Sequence, residues 1–230
     1  MKKCIRSLAP ILVLILTFTA CDAVKDAVGD AVGGVLETSS AGSTLGDTNP
    51  DDTNPSAAAV NEGDVITFGG EKWIVLKVES GKALIVSEIV PDNYFFHDTD
   101  EAVTWESCSL RAFLNNDFYG MFSAEDQARI VETTLANSDY ELSDGTKVPG
   151  GNSTADKIFL LSAEEAEEYF KYSSDRKANA ADGGEASWWT RSIGDAPNRA
   201  RYVQTAGMIG GGVGVTGLEG IRPSMWITIN

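Results

Sequence analysis

The stretch that decides the fold is Ser187-Trp188-Trp189-Thr190-Arg191-Ser192. Side chains alternate between the two faces of a strand, so the adjacent indoles of Trp188 and Trp189 should point to opposite faces. We expect one indole to be buried and the other to cap a second layer or to line a surface. A similar run, which also contains an arginine and a tryptophan, closes the chain from Gly220 to Ile229. We predict that the two runs are neighbouring strands of one small sheet.

The N-terminus, from Met1 to Ala20, has the pattern of an export signal. Basic residues precede an apolar segment that runs from Leu8 to Ala20. This segment is shorter than the roughly 20 residues that span a bilayer. It leads into Phe18-Thr19-Ala20-Cys21, which resembles the cleavage and lipidation box of bacterial lipoproteins. We predict that residues 1–20 are a lipoprotein signal peptide and that lipid on Cys21 holds the protein to a membrane of the bacterial cell envelope, on its extracytoplasmic side. A plain secretion signal with an incidental cysteine is the alternative.

Residues 21–61 are predicted to be a disordered tether. The segment repeats Asp-Thr-Asn-Pro within a background of glycine, serine, threonine and alanine. Such a composition buries too little apolar surface to offset the entropy of ordering the chain. The folded part should then be a globular α+β domain over residues 62–230, which is long enough to build one core.

Local signals within that domain predict both strands and helices. Apolar runs separated by glycine-containing turns between Val65 and Ser87 predict an antiparallel meander. Apolar residues at helical spacing from Leu110 to Phe118 predict one helix, and Ser123 and Ser162 should cap the N-termini of two more. Ile158-Phe159-Leu160-Leu161 is predicted to be a strand. The fold class we predict is α+β: a single compact domain with small antiparallel sheets and several short helices.

Charge and composition exclude several functions. The chain has 34 acidic and 18 basic residues and a net charge of -16, a surface that repels nucleic acid phosphates, so no nucleic acid partner is expected. A single histidine, His97, argues against zinc sites and histidine-dependent triads. Gly212 to Gly217 matches G-x-G-x-x-G, but the sequence that follows it, up to Asn230, contains no predicted helix, so we reject dinucleotide binding. We interpret Gly207 to Gly220 as a glycine-rich loop.

Two further sets of residues could carry chemistry. Cys108 is the one cysteine outside the signal and the lipidation box, and its apolar neighbours favour a buried inert thiol over a nucleophile. Loop 137–156 is rich in oxygen ligands and could form a calcium site, although it lacks EF-hand spacing. No other cofactor is predicted. The oxygen-bearing residues of that loop are Asp139, Glu141, Asp144, Asn152 and Asp156.

The tryptophan stretch and its surroundings supply a hypothetical ligand-binding set. Its members are Trp188, Trp189, Arg191, Tyr202 and Arg222. Arg191 and Arg222 could bind an anionic ligand, but arginines on neighbouring strands more often pair with buried acids such as Glu106 or stack on indoles. We therefore favour a structural role for both arginines, and we predict no catalytic residue and no metal ligand.

Five motifs together resemble a bacterial domain-of-unknown-function family, number 6273. The motifs are Val103-Thr104-Trp105-Glu106, Leu110-Arg111-Ala112-Phe113-Leu114-Asn115, Asp156-Lys157-Ile158-Phe159-Leu160-Leu161-Ser162, Trp188-Trp189-Thr190-Arg191-Ser192 and Gly220-Ile221-Arg222-Pro223-Ser224. The resemblance covers nearly all of residues 63–230, with Thr190 and Ile193 as departures, and it implies no activity. A tryptophan-rich strand and a closing Gly-x-Arg strand are also remotely similar to C-type-lectin-like and formylglycine-generating-enzyme-like domains, and this similarity implies such a fold.

Two functions follow as expectations. The first is a lipid-anchored extracytoplasmic binding or adhesion module, not an enzyme, whose ligand is an unidentified protein or glycan. The alternative is a carboxylate-dependent hydrolase of envelope or extracellular glycans that uses acids such as Glu106, Asp117 or Asp139. That chemistry would require two carboxyl groups about 5 to 9 Å apart in one cleft.

Overall fold

The computed structural model describes residues 59–229, so the predicted signal peptide, Cys21 and nearly all of the predicted tether lie outside the described residues. The first half of the described chain contains strands β1 Val65–Phe68, β2 Glu71–Glu79, β3 Lys82–Ser87 and β4 Asp92–Phe95, helix α1 Ser109–Phe113 with a π-helical turn Leu114–Phe118 and a 3-10 turn Tyr119–Met121, helix α2 Ala124–Arg129, and strands β5 Ile130–Val131, β6 Thr133–Leu135, β7 Tyr140–Glu141 and β8 Lys147–Val148. The second half contains strand β9 Thr154–Asp156, helices α3 Ala163–Tyr169 and α4 Ser173–Arg176, and strands β10 Ala178–Asn179, β11 Glu185–Ala186, β12 Trp188–Ile193, β13 Arg199–Val203, β14 Ile209–Gly214, β15 Leu218–Ile221 and β16 Ser224–Thr228.

The described strands form two larger sheets and three small ones, which confirms the α+β class. The first five-stranded sheet has the order β1-β2-β3-β16-β5, and the second has the order β14-β13-β12-β15-β4. The remaining pairs are β6 with β9, β7 with β8, and β10 with β11. All pairings between these strands are antiparallel except that of β12 with β15. Over residues 59–229, none of the helices has the length and apolar character needed to cross a membrane.

Several local predictions are confirmed. The meander is β1-β2-β3. The predicted helix is α1 continued by its π-helical and 3-10 turns. Ser123 and Ser162 cap α2 and α3 through their side-chain oxygens, and Ser162 forms a capping box with Glu165. Val60 already packs against the core, just before the predicted start of the domain at residue 62.

Both tryptophans of the deciding stretch are buried, so the expectation that only one would be buried is wrong. Trp188 and Trp189 are each 0% exposed. They lie in two different clusters of buried side chains, with Trp189 in the larger and Trp188 in the smaller, beside Phe170. The alternation of strand side chains holds, but β12 has strand neighbours on both sides and buried side chains against both faces, so neither indole reaches the surface.

The two tryptophan-containing runs are neighbours only in part. Gly220, in β15, lies opposite Trp188 in a parallel pairing. Trp226, in contrast, lies in β16, which belongs to the first sheet between β3 and β5. The chain changes sheets at Arg222-Pro223, where proline lacks the N–H group that would continue the ladder and instead offers its carbonyl to Ser87 N at 2.9 Å.

Two further predictions are corrected. Gly207 to Gly220 is not a loop, because most of it forms β14 and β15. Ile158 to Leu161 is extended and buried but makes only a single bridge, from Phe159 to Ser224. Side chains take several of its polar backbone groups in place of a neighbouring strand: Asn115 accepts from Ile158 N and donates to Ile158 O at 2.8 Å, and Arg191 donates to Leu160 O.

Candidate functional site

Arg191 has a structural role between β12 and α3. It is 4% exposed, and both terminal nitrogens of its guanidinium contact the Glu165 carboxylate, Nη2 at 2.6 Å from Oε1. The same guanidinium donates to the carbonyl of Leu160 at 3.0 Å. Glu165 also accepts from the backbone N–H of Ser162 in the capping box. The guanidinium of Arg191 therefore joins β12 to the first turn of α3 and is not free to bind an anion.

Arg222 is held by aromatic rings. Its guanidinium carbon lies 5.2 Å from the centroid of the Trp188 ring and 5.0 Å from that of Phe170, and Nε donates to the carbonyl of Ser87 at 2.9 Å. Within residues 59–229, no carboxylate forms a salt bridge with Arg222. Burial lowers the pKa of Arg222 to about 10. The structural role favoured from the sequence thus agrees with this geometry.

The hypothetical ligand-binding set is not assembled on a surface. Trp188, Trp189, Arg191 and Arg222 are buried, and Tyr202 is half-buried in β13. The indole nitrogens donate inside the fold, that of Trp188 to Arg176 O at 3.0 Å and that of Trp189 to Tyr94 O at 2.8 Å. The conspicuous aromatic and basic residues of the sequence are therefore core residues.

A second buried network joins two of the sequence motifs. Asp156 is 1% exposed and accepts from Arg111 Nε at 2.6 Å, from Trp105 Nε1 at 2.9 Å and from the Thr154 hydroxyl at 2.8 Å. Arg111 also donates to the backbone carbonyl of Glu106 at 3.0 Å. Each charge is paired and hydrogen-bonded, as buried charges require. The network fixes the loop that carries residues 104–107.

Cys108 has the buried position predicted for it. The residue is 2% exposed and caps the N-terminus of α1, where its sulfur accepts from Arg111 N at 3.4 Å. Burial raises the pKa of the Cys108 thiol to about 12. A thiol that is protonated at neutral pH and shielded from solvent is a poor nucleophile.

The oxygen-bearing residues of loop 137–156 do not converge on one point. Asp139 accepts from Gly150 N, Asp144 from Thr146 N, and Asn152 donates to Glu106. Asp156 belongs to the buried network. Among residues 59–229, no group of three acidic, histidine or cysteine side chains could hold a metal ion. The arrangement therefore offers no support for the calcium site.

A groove of about 260 Å³ lies where three separate segments meet, and its lining residues come from positions 102–107, from Pro149 and from positions 193–197. Its floor is apolar, formed by the buried side chains of Val103 and Ile193. Its walls are built from small and rigid residues and two hydroxyls. These wall residues are Ala102, Thr104, Ser107, Pro149 and Pro197.

Hydrogen bonds hold the three segments around this groove. Val103 N donates to Pro197 O at 3.0 Å across the floor. Asn198 Nδ2 donates to Asp100 Oδ1 at 2.8 Å, and Asn152 Nδ2 donates to Glu106 Oε2 at 3.0 Å. Hydrogen bonds between the segments therefore maintain the groove, and two of them are accepted by carboxylates.

Gly151 lets its own segment approach Thr104, a wall residue of the groove, closely. Its φ is +93°, a conformation that favours glycine. A Cβ atom at this position would lie 2.6 Å from the Thr104 hydroxyl oxygen. The groove thus depends on a residue without a side chain.

Sequence reasoning missed the groove. Its lining residues are alanine, valine, isoleucine, proline, threonine and serine, none of which indicates a site by residue type. The nearest signal is the run of carboxylates from Asp98 to Glu106, which contains no lysine or arginine. A narrow polar crevice beside the groove, which shares Ile193 with it and includes Arg191, offers no room for a ligand.

Comparison with known proteins identifies a family but no activity. No curated protein and no solved structure matches the chain, so the similarity to C-type-lectin-like and formylglycine-generating-enzyme-like domains stays a prediction. A family model described as "Domain of unknown function (DUF6273)" matches residues 80–229. The matched range contains the Asp156 network, both buried tryptophans and the groove. The chain therefore belongs to the family described as Domain of unknown function (DUF6273).

Proposed function

We propose that this protein is a lipid-anchored, extracytoplasmic binding module of a bacterial cell envelope, and that the groove beside Val103 receives its protein or glycan ligand. The observation that carries the proposal is the groove itself: a held cavity of about 260 Å³ with an apolar floor and two hydroxyls. Concave, largely apolar sites with a few polar groups are the usual form of binding sites.

The lining of the groove favours binding over catalysis. It contains no carboxylate, cysteine, histidine or lysine that could act as an acid, base or nucleophile. The reactive side chains Cys108, Asp156 and Arg191 serve the interior of the fold instead. The protein is therefore proposed to recognise a ligand without transforming it.

The hydrolase predicted as an alternative gains no specific support. Asp117 is exposed on the π-helical turn, and Asp139 accepts from Gly150 N. Glu106 precedes the lining residue Ser107 in the chain but is hydrogen-bonded to Asn152, and none of the three acids lines the groove. Paired carboxyl groups in one cleft are what a glycoside hydrolase needs.

The anchor rests on the sequence from Met1 to Cys21. The apolar segment Leu8 to Ala20, which ends immediately before Cys21, supports cleavage at that point and lipid on the cysteine. Mass spectrometry of the N-terminal peptide from native cells should show an acylated Cys21. The matched variant Cys21→Ser, which cannot be acylated at this position, should be lost from the membrane fraction. An unmodified N-terminus elsewhere in the chain would contradict the anchor.

The binding role is tested on the isotope-labelled full chain by nuclear magnetic resonance. Probes of several classes would be added in turn: a neutral disaccharide, a glycan carrying an amine, apolar peptides and charged peptides. At least one class should shift the amide signals of segments 102–107, 149–152 and 193–198 together. Binding that shifts other signals only, or no shift with any class, would refute the groove as the binding site.

A further inference from the structure

We propose that the groove takes a lysine side chain from a peptide partner, with the aliphatic stem on the apolar floor and the ammonium group at the carboxylate of Glu106 or of Asp100, which lie close in the chain to the lining residues Ser107 and Ala102. This inference rests on the proposed function and specifies the ligand. A lysine side chain suits such a site because it buries its methylene stem along apolar surface while its charged head stays at the rim.

The size of the groove favours one side chain of a larger partner. At about 260 Å³ it is smaller than the roughly 300–1,000 Å³ of sites that enclose a whole small molecule. Its walls are open to solvent at Ala102, Ser107, Pro149 and Pro197. Within residues 59–229, the hydroxyls of Thr104 and Ser107 donate to no protein acceptor, so they are free to hydrogen-bond the backbone of a bound peptide.

The charge at the rim favours a cation. Asp98, Asp100 and Glu101 precede the first segment in the chain, and Glu106 lies within it. Residues 98–107 contain no lysine or arginine. Asp100 and Glu106 are held by the amides of Asn198 and Asn152, which are neutral. Glu101 has hydrogen bonds from Thr99 and from His97 at 3.1 Å.

No lysine or arginine among residues 59–229 forms a salt bridge with these carboxylates. Hydrogen bonds from Thr99 and then His97 lower the pKa of Glu101, so this carboxylate is ionised at neutral pH. A bound ammonium group would supply the missing opposite charge.

The geometry at Glu106 favours an ammonium over a guanidinium. Asn152 Nδ2 lies 3.2 Å from Oε1 and 3.0 Å from Oε2, so both oxygens already accept from one amide. The planar fork of arginine binds best when both oxygens of a carboxylate face it. The compact ammonium of lysine needs only one free lone pair and can approach from any direction.

The test compares matched peptides on the isotope-labelled full chain. Acetylated, amidated tripeptides with lysine, norleucine or arginine between two alanines would be titrated while amide shifts are followed. Norleucine keeps the aliphatic stem and removes the charge. Lysine should bind at the groove up to about fivefold more tightly than norleucine, the factor that one exposed ion pair supplies, and more tightly than arginine. The free diamine 1,5-diaminopentane should bind more weakly than the lysine peptide.

Two variants and one change of salt locate the effect. Of Glu106→Gln and Asp100→Asn, the variant that removes the carboxylate beside the ammonium should abolish the preference for lysine over norleucine. A preference that is unchanged in both variants would overturn the inference. The control Glu79→Gln, which removes an exposed acid paired with Lys77 outside the groove, should not change this preference. Raising the salt to about 0.5 M should weaken the lysine peptide and leave the norleucine peptide unchanged, because exposed charges are screened. The salt titration uses the unmodified chain, so it does not depend on whether a variant folds.

The outcomes separate the two proposals. Equal binding of the lysine and norleucine peptides at the groove would overturn the lysine inference and leave the binding module standing. Stronger binding of the free diamine would overturn the peptide source. A glycan that shifts the groove signals while no peptide does would overturn the inference alone. If no probe class shifts the amide signals of the groove, both the proposed binding site and the lysine inference would be overturned.

Discussion

Replacing each tryptophan of the deciding stretch with alanine tests how β12 is covered. Trp188 and Trp189 are both 0% exposed. A fully buried tryptophan removes about 150–250 Å² from water, and its truncation in a core costs about 3–5 kcal/mol. A domain has roughly 5–15 kcal/mol of stability in total. We therefore expect both variants to lose about a fifth or more of their free energy of unfolding.

The contacts of the two rings predict an order between the variants. Loss of Trp189 leaves the carbonyl of Tyr94 without its donor and removes an edge contact with Phe96, whose ring centroid is 5.5 Å away. Loss of Trp188 removes one of the two rings beside the buried cation of Arg222. A desolvated cation–π contact contributes up to about 2 kcal/mol, so Trp188→Ala should be the more costly variant by about 1–2 kcal/mol.

The assay is urea denaturation of the full chain followed by circular dichroism, because the variants change the tryptophan fluorescence. A double-mutant cycle with Arg222→Met isolates the contact between Trp188 and Arg222, and its coupling energy should be about 1–2 kcal/mol. The control is Leu218→Ala in the adjacent strand β15. Leu218 is 60% exposed, so its truncation should cost less than about 0.5 kcal/mol.

Two results would refute this reasoning. A loss below about 1 kcal/mol in either tryptophan variant would mean that its indole is not in a core. A coupling energy near zero would mean that Arg222 is stabilised by its bond to Ser87 O and not by the indole.

Three further predictions concern the interior and the groove wall. Asp156→Ala should reduce the free energy of unfolding, measured by urea denaturation, by about 3–5 kcal/mol, because Arg111 and Trp105 lose their buried acceptor. The control Glu79→Ala, at an exposed salt bridge, should cost less than about 1 kcal/mol. Similar losses in the two variants would contradict the role of the network. Burial raises the pKa of the Cys108 thiol from 9.0 to about 12. The contribution of the thiol to the free energy of unfolding should therefore be complete below pH 9.0 and disappear as the pH rises toward about 12. Cys108→Ala should remove this pH dependence, and an unchanged slope of the free energy of unfolding against pH would show that the thiol is not responsible for it. Gly151→Ala should cost about 1–2 kcal/mol by differential scanning calorimetry, because a Cβ would collide with Thr104 at a positive φ; an unchanged melting temperature would show that this wall is free to move.

Residues close together in the chain determined the local elements. Glycine-containing turns between short apolar runs predicted the meander, and the hydroxyls of Ser123 and Ser162 predicted where α2 and α3 begin. These signals can be read from sequence because a turn or a helix cap involves groups only a few residues apart. The burial of Cys108 followed for the same reason, from its apolar neighbours.

The fate of the two tryptophans was decided by tertiary structure. Alternation placed Trp188 and Trp189 on opposite faces of β12, as the sequence alone required. Whether a face is covered depends on segments far away in the chain: Phe96 packs beside one indole, and Phe170 and Arg222 surround the other. Periodicity within one short strand contains no information about those partners.

The groove is also a product of tertiary structure alone. Its floor and walls come from three segments that are separated along the chain, and its lining residues have no reactive groups. The motifs that stand out in the sequence contain tryptophan, arginine and aspartate, and these residues turned out to hold the interior together through Asp156 and Arg222. Sequence shows where large and charged side chains occur. Only the folded chain brings Val103, Pro149 and Ile193 to one place, because that juxtaposition depends on long-range backbone contacts such as the one from Val103 N to Pro197 O.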